Sequence, residues 1–415
     1  MKKILVVLLS VFTVNFYVYA EEINRETVKI QTLKNNLSIA SAKLALDNAK
    51  QEYNSSFGSF FPQINFKGNL PLNEFKKNFL RNYSYGLEIS IPIFKRFETY
   101  STVKDKASEF KFAQASYDKT VSDELYKADA AYINLMSLYE EIELLKNTKE
   151  KKIEDKNIIE LNYNSGEINI ALLRKTEADF AMAEYNLKAA QRHVETASVQ
   201  LLKAIGRNDY ATILETNERI TISKKLPKKP DYDNLITVIP EFIIAQYKFE
   251  SFKIQTLKAK GQWLPSLTGN IQYSGPSGQT TDKWNKSAGI SFSYTIFDGG
   301  KRYAYMQTVS NNLKIASEEL KNTINNLKAR AIELYNNLTD AYELVALKTQ
   351  YLDATKLHLE ILTKEYVNGI INYNEWYSIE KDYFSSQTEL LKAKKEAVLK
   401  RAEWNTFTGK SLKGK

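Results

Sequence analysis

The chain has 415 residues, a formal net charge of +9 and no cysteine. Without cysteine it can form neither disulfides nor thiolate metal sites, and we expect no metal or other cofactor. Lysine and glutamate alternate along its helical stretches, which is typical of a solvated face and not of a nucleic-acid partner. The sequence carries no phosphate-binding glycine loop, nucleophile elbow or zinc-ligand spacing, so we expect no enzyme.

The first twenty residues have the features of an export signal. Lys2 and Lys3 precede an apolar run that ends in Val18-Tyr19-Ala20, a small-residue cleavage pattern. The run is shorter than the roughly 20 residues that a membrane-spanning helix needs. No cysteine follows it, so we expect no lipid anchor, and loss of the two lysines leaves a formal charge of +7. We therefore predict an exported chain that begins at Glu21.

The rest of the chain contains two similar repeats, related by a constant offset of 203 positions. The offset relates four pairs: Pro62 and Pro265, Phe94 and Phe297, Gly166 and Gly369, and Gly206 and Gly409. A period of this length indicates a duplicated domain, because solenoid repeats are about 20–50 residues long. The division is then a first repeat (21–207), an inter-repeat linker (208–239), a second repeat (240–410) and a C-terminal tail (411–415).

Proline marks where long helices are permitted. None of the eight prolines lies between Phe94 and Leu226 or after Pro276, and these windows are rich in helix-forming residues. In chain order, helices are predicted over residues 23–59, 95–165, 171–205, 240–262, 301–368 and 373–407. The helix over 95–165 would be about 105 Å long at 1.5 Å per residue, the dimension of a rod or of a tube wall.

Apolar residues in the long helices follow rows with seven-residue spacing. The rows are Leu125, Tyr132 and Tyr139; Ala128, Leu135 and Ile142; and, in the second repeat, Leu338, Val345, Leu352 and Leu359. This spacing is typical of coiled-coil-like packing between helices. Gly166 and Gly369 then end the two longest helices, as C-cap glycines do.

Between the helices, apolar and polar residues alternate with a period of two. This pattern predicts two hairpins, over 61–93 and 264–297, with polar loops at 73–82 and 275–282. The positions that would face lipid are Ile64, Phe66, Leu87, Ile89, Ile91, Ile271, Ile290 and Phe292. The aromatic residues at the strand ends, which suit a membrane-interface belt, are Tyr83, Tyr85, Trp263 and Trp284. An ordinary half-buried hairpin alternates in the same way, but four such strands after an export signal favour a membrane.

Four strands do not close a barrel, and an open edge in lipid would leave backbone groups without hydrogen-bond partners. The smallest membrane barrels have eight strands, so several chains must each contribute two hairpins. A dimer would supply eight strands and a trimer twelve, and strand arithmetic permits both.

Together these features resemble the TolC family of outer-membrane efflux and secretion channels. The resemblance covers nearly the whole chain after the export signal. It rests on three features that occur in both repeats. The hairpins begin with Phe61-Pro62 and Leu264-Pro265, and the helices end at the two glycine turns. The hairpins end with Ile91-Pro92-Ile93-Phe94 and with Thr295-Ile296-Phe297-Asp298-Gly299-Gly300-Lys301-Arg302.

The resemblance implies a mainly α protein with membrane β structure, a long α-helical barrel continuous with a β-barrel shared between subunits. It implies a homotrimer, with twelve strands in the outer membrane and twelve helices forming a tunnel across the periplasm. The implied partners are a periplasmic adaptor, docking near Gly166 and Gly369, an inner-membrane pump and outer-membrane lipid. The linker 208–239 would lie in a girdle around the middle of the tunnel.

The resemblance also implies an entrance to the tunnel just after the glycine turns. Glu375 falls on a position that is often acidic in the family, whereas Ser378 stands where aspartate is common, which argues against strong cation selectivity. Arg174 and Lys175 lie at comparable depth in the first repeat, where they would pair with carboxylates in a closed state. A solvated surface position is an equal alternative for Glu375 and the simpler one for the two cations.

Two questions stay open at this stage. A periplasmic coiled-coil scaffold would explain the long helices, although it would not explain why both hairpins have one apolar and one polar face. Within the channel class, drug efflux and type I protein secretion are not distinguished. The absence of cysteine and the presence of only four methionines weigh mildly against a dedicated exporter of soft metals.

Overall fold

A computed structural model describes residues 20–69, 84–223, 225–275 and 284–410 of the chain. The predicted export signal up to residue 19, the loop residues 73–82 and 276–282, Tyr83 and the C-terminal tail lie outside these ranges. The helices are α1 (Arg25–Asn35), α2 (Leu37–Ser56), α3 (Glu98–Asn164), α4 (Ile170–Ile205), α5 (Tyr232–Ile236), α6 (Pro240–Gly261), α7 (Lys301–Val367) and α8 (Tyr373–Phe407). The strands are β1 (Ala20–Glu22), β2 (Gln63–Asn69), β3 (Ser84–Lys95), β4 (Ile213–Glu215), β5 (Ser266–Ser274) and β6 (Asn285–Ser293).

The long helices follow the sequence predictions closely. α3 and α7 have 67 residues each, which is about 100 Å at 1.5 Å per residue, and α8 has the predicted bounds. In the described part of the chain, no helix combines the length and the apolarity needed to cross a membrane.

The single helix predicted over residues 23–59 is wrong, because the chain breaks at Asn36 into α1 and α2. Asn36 has an extended ψ of 125°, and its side-chain amide donates to the Glu124 carboxylate and to the Ala204 carbonyl, both at 2.9 Å. Gly206 follows α4 directly beside this break. An added Cβ at Gly206 would lie 2.3 Å from the Asn35 carbonyl oxygen, so only glycine permits the approach. The break is therefore set by contacts distant in sequence.

The predicted start of the second helix at residue 95 is also wrong, since β3 continues to Lys95 and α3 begins at Glu98. Between them Arg96 and Phe97 have left-handed φ values of 51° and 60°. Their counterparts at the offset of 203, Gly299 and Gly300, have φ of 69° and 82°. Both repeats thus turn from strand to helix through two left-handed residues. In the first repeat this costs about 1–2 kcal/mol per residue, because the residues carry a Cβ.

The four strands β2, β3, β5 and β6 form one antiparallel sheet in the order β2-β3-β5-β6. Gln63 pairs with Ser90 in the first hairpin, and Ser266 pairs with Ser293 in the second. Each partner is displaced by 203, so the two hairpins share one register. β3 and β5 join the repeats, with a register shift between Pro92 and Phe94. The second hairpin is shorter than predicted, because β6 ends at Ser293.

The described residues cluster into two compact units. One comprises residues up to 37, 124–227 and 336–404; the other comprises 38–123, 228–335 and 405–410. Each unit therefore draws on both sequence repeats, so the division read from the duplication is a division of the sequence and not of these clusters.

The core of the first unit contains most of the two predicted rows of α3, with Ala128, Tyr132, Leu135 and Ile142 buried and Tyr139 packed against them, but not the predicted row of α7. Tyr132 and Leu135 of α3 are fully buried with Leu201, Leu202 and Ile205 of α4. Part of the predicted linker joins this core: β4 pairs in parallel with β1 and buries Leu214. The hydroxyl of Tyr132 lies 2.8 Å from both the Thr216 hydroxyl and a Glu218 carboxylate oxygen. These contacts attach residues 213–220 to α3.

Gly261, at the end of α6 in the second repeat, packs against the backbone of Arg96 in the first repeat. Its substitution tests this close packing between the repeats. An added Cβ would lie 1.8 Å from the carbonyl oxygen of Arg96, which is backbone and cannot swing aside. We expect Gly261→Ala to destabilise the chain by about 3 kcal/mol, measured as a lower midpoint of thermal unfolding. Gly289→Ala is the control, because the space around it is open. Equal midpoints for the two variants would contradict the close approach.

Candidate functional site

The strand pairing gathers all eight predicted lipid-facing residues on one face of the sheet. Ile64, Ile89 and Ile271 stand in one row across β2, β3 and β5. Phe66 and Leu87 stand in the next row. Ile91 and Ile290 flank Gly269, and Phe292 pairs with Leu267. One residue of slip between the strands of a hairpin would move the apolar residues of one strand to the opposite face, so the register and the apolar pattern agree.

Among the described residues, this face is largely exposed. Ile64, Phe66, Ile290 and Phe292 are between 66% and 71% exposed, and Leu87 and Ile271 are 44% and 42% exposed. An apolar surface of this extent marks an interaction with lipid or with protein.

The opposite face of the sheet is polar. Lys67 of β2 pairs with Glu88 of β3, and the Asn270 amide donates to the Ser291 hydroxyl at 2.9 Å. Polar side chains thus bond to one another across the strands of this face. A sheet with one apolar and one polar surface separates an apolar environment from an aqueous one.

Aromatic residues stand at both ends of the apolar face. At the loop end Trp284 stacks on Tyr273 at 4.6 Å and meets Tyr85 edge-on at 5.5 Å. At the helix end Trp263 lies under the Arg302 guanidinium at 4.7 Å. A strand of nine residues such as β5 is about 30 Å long and spans roughly 23 Å when tilted by about 40°, close to the apolar band of membrane strands.

The two glycine turns are alike in detail. Gly166 and Gly369 have φ of 83° and 70°, and in each turn the following N–H bonds back five residues, from Glu167 to Asn162 and from Ile370 to Glu365. This is the Schellman arrangement, in which a left-handed glycine ends a helix. No described atom lies within 4 Å of an added Cβ at either glycine, so both turns are open to a partner.

The predicted entrance residues lie on the helices that follow these turns. Glu375 is exposed in the first turn of α8, where its backbone N–H donates to the Asn372 side-chain oxygen at 3.1 Å and its carboxylate accepts from the Asn372 side-chain amide at 3.0 Å. Ser378 is exposed on the same helix. Arg174 pairs with Glu177 of its own helix at 2.9 Å. Lys175 of α4 lies 4.4 Å from the ring centre of Tyr377 in α8, so it contacts α8 through an aromatic ring.

Sequence reasoning missed a buried charged cluster formed by Lys152, Asp155 and Glu380. Their exposures are 8%, 3% and 1%. The Lys152 ammonium of α3 donates to Asp155 at 3.0 Å and to one carboxylate oxygen of Glu380 in α8. The other Glu380 oxygen is buried and has no hydrogen-bond partner among the described atoms. One sequence feature could have revealed this cluster. Lys152 is the single polar residue in an otherwise apolar row with seven-residue spacing, which consists of Leu138, Leu145, Lys152 and Ile159.

Aromatic residues surround this cluster and tie four helices together. The Lys152 ammonium lies 4.7 Å from the ring centre of Tyr377, whose hydroxyl donates to Asp179 of α4 at 2.8 Å. Trp376 donates its indole N–H to Thr363 of α7 at 3.1 Å. The cluster therefore fixes α8 against α3, α4 and α7 at one level of the bundle.

Burial has the largest effect on the Glu380 carboxyl and raises its pKa to about 6. The hydrogen bond and charge of Lys152 act in the opposite direction, while the nearby Asp155 carboxylate adds to the rise. Burial and the hydrogen bond to Asp179 likewise raise the pKa of Tyr377. The cluster can therefore change its charge in mildly acidic solution at Glu380.

Helices with coiled-coil-like rows, ended by paired glycine turns and joined to an open sheet with two unlike faces, define a membrane channel protein. The chain belongs to the outer membrane efflux protein family, whose model matches residues 30–207 and 245–409. It is thus an outer-membrane efflux channel that extends into the periplasm, and it is not an enzyme. These predictions from the sequence are confirmed, and the channel class replaces the scaffold alternative.

Similar proteins agree in sequence and in fold. The chain is 20% identical over 390 residues to the probable outer membrane lipoprotein SilC of Salmonella typhimurium, covering 87% of this chain and 80% of SilC. It is 20% identical over 392 residues to the cation efflux system protein CusC of Escherichia coli K12, covering 88% and 82%. A crystal structure of CusC matches with a TM-score of 0.82 and 15% identity over 92% of this chain and 91% of that one. The Campylobacter jejuni CmeC outer membrane channel matches with a TM-score of 0.80 and 16% identity over 94% and 88%.

The raised pKa of Glu380 predicts a pH-dependent stability. The folded state binds the proton of this carboxyl more tightly than the unfolded state does. The carboxyl therefore adds most to the free energy of unfolding below pH 4.5, and this contribution is lost as the pH rises through about 6. The loss amounts to roughly 2 kcal/mol. Glu380→Gln, which stays neutral, should therefore raise the unfolding midpoint relative to wild type at pH 7 more than at pH 4.5.

The matched control for this prediction is Glu360→Gln, since Glu360 is an exposed carboxylate of α7 outside the cluster. That variant should keep the wild-type dependence of the unfolding midpoint on pH. If Glu380→Gln also kept it, the carboxyl of Glu380 would not be the group that titrates.

Proposed function

We propose that the chain is a homotrimeric, passive exit duct in the outer membrane. A periplasmic adaptor and an inner-membrane pump, as part of a tripartite efflux or type I secretion system, would deliver substrates to it. The observation that carries the proposal is the sheet, which has an exposed apolar face, a polar face and two unpaired edges. The apolar face with Ile64, Phe66, Leu87, Ile89, Ile91, Ile271, Ile290 and Phe292 would contact lipid.

The edges require partners from other copies. Within the described strands, β2 pairs only with β3, and β6 pairs only with β5. In lipid the free N–H and C=O groups of both edges would lack hydrogen bonds, at a cost of several kcal/mol each. Closure of the sheet through β2 of one copy and β6 of the next removes both edges at once.

The internal duplication supplies the register of that closure. Inside one chain, β3 of the first repeat pairs with β5 of the second, and Ser90 stands opposite Asn270. At the offset of 203, the counterpart of Ser90 is Ser293 of β6, and the counterpart of Asn270 is Lys67 of β2. The same pairing between copies therefore places Ser293 of one copy opposite Lys67 of the next. A ring of alternating repeats then uses one kind of interface throughout.

Gly58 supports the same interface. It is the counterpart of Gly261, whose missing side chain makes room for the Arg96 carbonyl. No described atom lies within 4 Å of an added Cβ at Gly58. Because Gly299 is the counterpart of Arg96, the group that would approach Gly58 belongs to the next copy.

Three copies suit a duct better than two. Two copies would give eight strands, and side chains fill the interior of a barrel of that size. Three copies give twelve strands and a wider interior, together with twelve long helices from α3, α4, α7 and α8.

The glycine turns suit the periplasmic end of the duct. Gly166 and Gly369 would meet the adaptor, and the entrance would be lined by Glu375, Ser378, Arg174 and Lys175. Around a threefold axis, three Glu375 carboxylates would favour cations, as rings of acidic residues do in cation channels. Cation efflux appears in the name of CusC; in this chain we propose that the pump selects the cargo and that the duct conducts it passively.

Ile290→Lys tests the lipid contact. Ile290 is 70% exposed at mid-strand, and a lysine facing the middle of the bilayer costs about 2–4 kcal/mol. We expect less folded oligomer in outer-membrane fractions. Ser291→Lys places the same charge one residue later, on the polar face, and should assemble like wild type. The proposal is wrong about the faces if Ser291→Lys is the more harmful change.

A cysteine pair tests both the copy number and the register. The chain has no native cysteine, so oxidation of a Lys67→Cys, Ser293→Cys double variant should form disulfides only between copies. Directly opposed strand residues lie about 5 Å apart, within disulfide range. We expect covalent trimers on a denaturing gel. Covalent species ending at dimers would contradict the trimer.

The register control combines Asn65→Cys with Ser293→Cys. These positions lie on the same face but two residues out of register, about 7–8 Å apart and beyond easy bridging. This variant should give few cross-links. Equal cross-linking by both pairs would contradict the register derived from the duplication.

A further inference from the structure

A cavity of about 440 Å³ opens beside the junction between the sheet and the helices. The start of α3, the end of α6 and the start of α7 surround it. It lies within one compact unit of the chain. None of the entrance or lipid-facing residues discussed above lines it.

The cavity has an excess of positive charge. Its charged lining residues are Arg96, Lys258, Lys301 and Arg302, against Glu98 and Asp298. Asp298 pairs with Arg302 at 2.9 Å, and Glu98 lies 4.0 Å from Lys258. Among the described residues, no carboxylate lies within 4.0 Å of a charged nitrogen of Arg96 or Lys301. Two positive charges are therefore left for a ligand.

Two nitrogens of the lining arginines also lack a hydrogen-bond partner in the described part of the chain. The Nε of Arg96 and the Nη1 of Arg302 are buried and have no partner among the described atoms. A guanidinium has five N–H donors and no acceptor, so only an acceptor can satisfy these groups. A buried donor without a partner is costly, and the positive charges of Arg96 and Arg302 at the lining attract an oxyanion into the cavity.

The Arg302 side chain is held in place before any ligand arrives. Asp298 accepts from its Nε at 2.9 Å and from its backbone N–H at 3.1 Å. The face of Trp263 lies 4.7 Å from the guanidinium carbon. These contacts fix the position of the Arg302 positive charge at the cavity lining.

We propose that this cavity binds the phosphate group of a membrane phospholipid. The inference rests on the outer-membrane location of the family. Trp263 is half exposed beside the cavity, at the helix end of the apolar face. A headgroup here would leave its acyl chains free to lie along that face. Inorganic phosphate offers the same oxyanion chemistry, so the test must separate the two sources.

The test uses the full-length protein, purified in detergent and stripped of lipid, with binding of phosphatidylglycerol followed by native mass spectrometry. Arg96→Gln combined with Lys301→Gln removes the two unmatched charges and should weaken binding by about tenfold or more. Lys95→Gln combined with Lys260→Gln makes the same change in net charge at two exposed neighbouring lysines outside the cavity. This control should bind like wild type.

Lys301→Gln alone guards against a folding defect, because Lys301 is exposed at the first position of α7. It should weaken binding by about threefold while keeping the wild-type unfolding midpoint. A second arm adds millimolar inorganic phosphate. If phosphate fails to displace the lipid, the headgroup is the ligand; if it binds alone with the same dependence on Arg96 and Lys301, the site takes free phosphate. Equal lipid binding by the cavity and control double variants would overturn the proposal.

Discussion

The constraint on which the rest of the structure depends is a four-stranded sheet that cannot stand alone. Its apolar face is exposed, and its outer strands β2 and β6 each have one edge without a partner within the described chain. Water disfavours such a face and lipid disfavours such edges. Only association satisfies both requirements, so the oligomer that we propose follows from backbone hydrogen bonding.

Because of the duplication, the same kind of strand-to-strand interface can serve both within one chain and between copies. The register of β2 with β3 recurs in β5 with β6, and the strand-to-helix turn at Arg96 and Phe97 recurs at Gly299 and Gly300. The two copies have diverged in how they reach the same geometry. One uses glycines, which adopt left-handed φ freely, and the other accepts the strain of two residues with side chains. Close packing of Gly261 on the Arg96 carbonyl helps to hold that strain.

The charged cluster near the glycine turns contributes to stability in a different way from the apolar core. A buried ion pair commonly contributes less stability than apolar residues of the same volume, because its desolvation is costly. Lys152 nonetheless occupies a place in an apolar row, and Glu380 keeps one carboxylate oxygen unpaired. Four helices meet at this cluster, whereas the core around Tyr132 and Leu201 is apolar. The pH dependence that Glu380 contributes thus originates in this cluster and not in the apolar core.

The sequence by itself determined the duplication, the bounds of α7 and α8 to within a residue, and the apolar face of the hairpin strands β2, β3, β5 and β6, because periodicity and proline placement are local properties. Only the tertiary structure decided the break at Asn36, whose amide bonds to Glu124 and Ala204, and the extension of β3 to Lys95 before two left-handed residues. It also decided which charges are buried: Lys152 and Glu380 are 228 positions apart, and each alone resembles a solvated helix residue. Local pattern reports what a segment prefers, whereas burial and pairing depend on which distant segment comes to lie beside it.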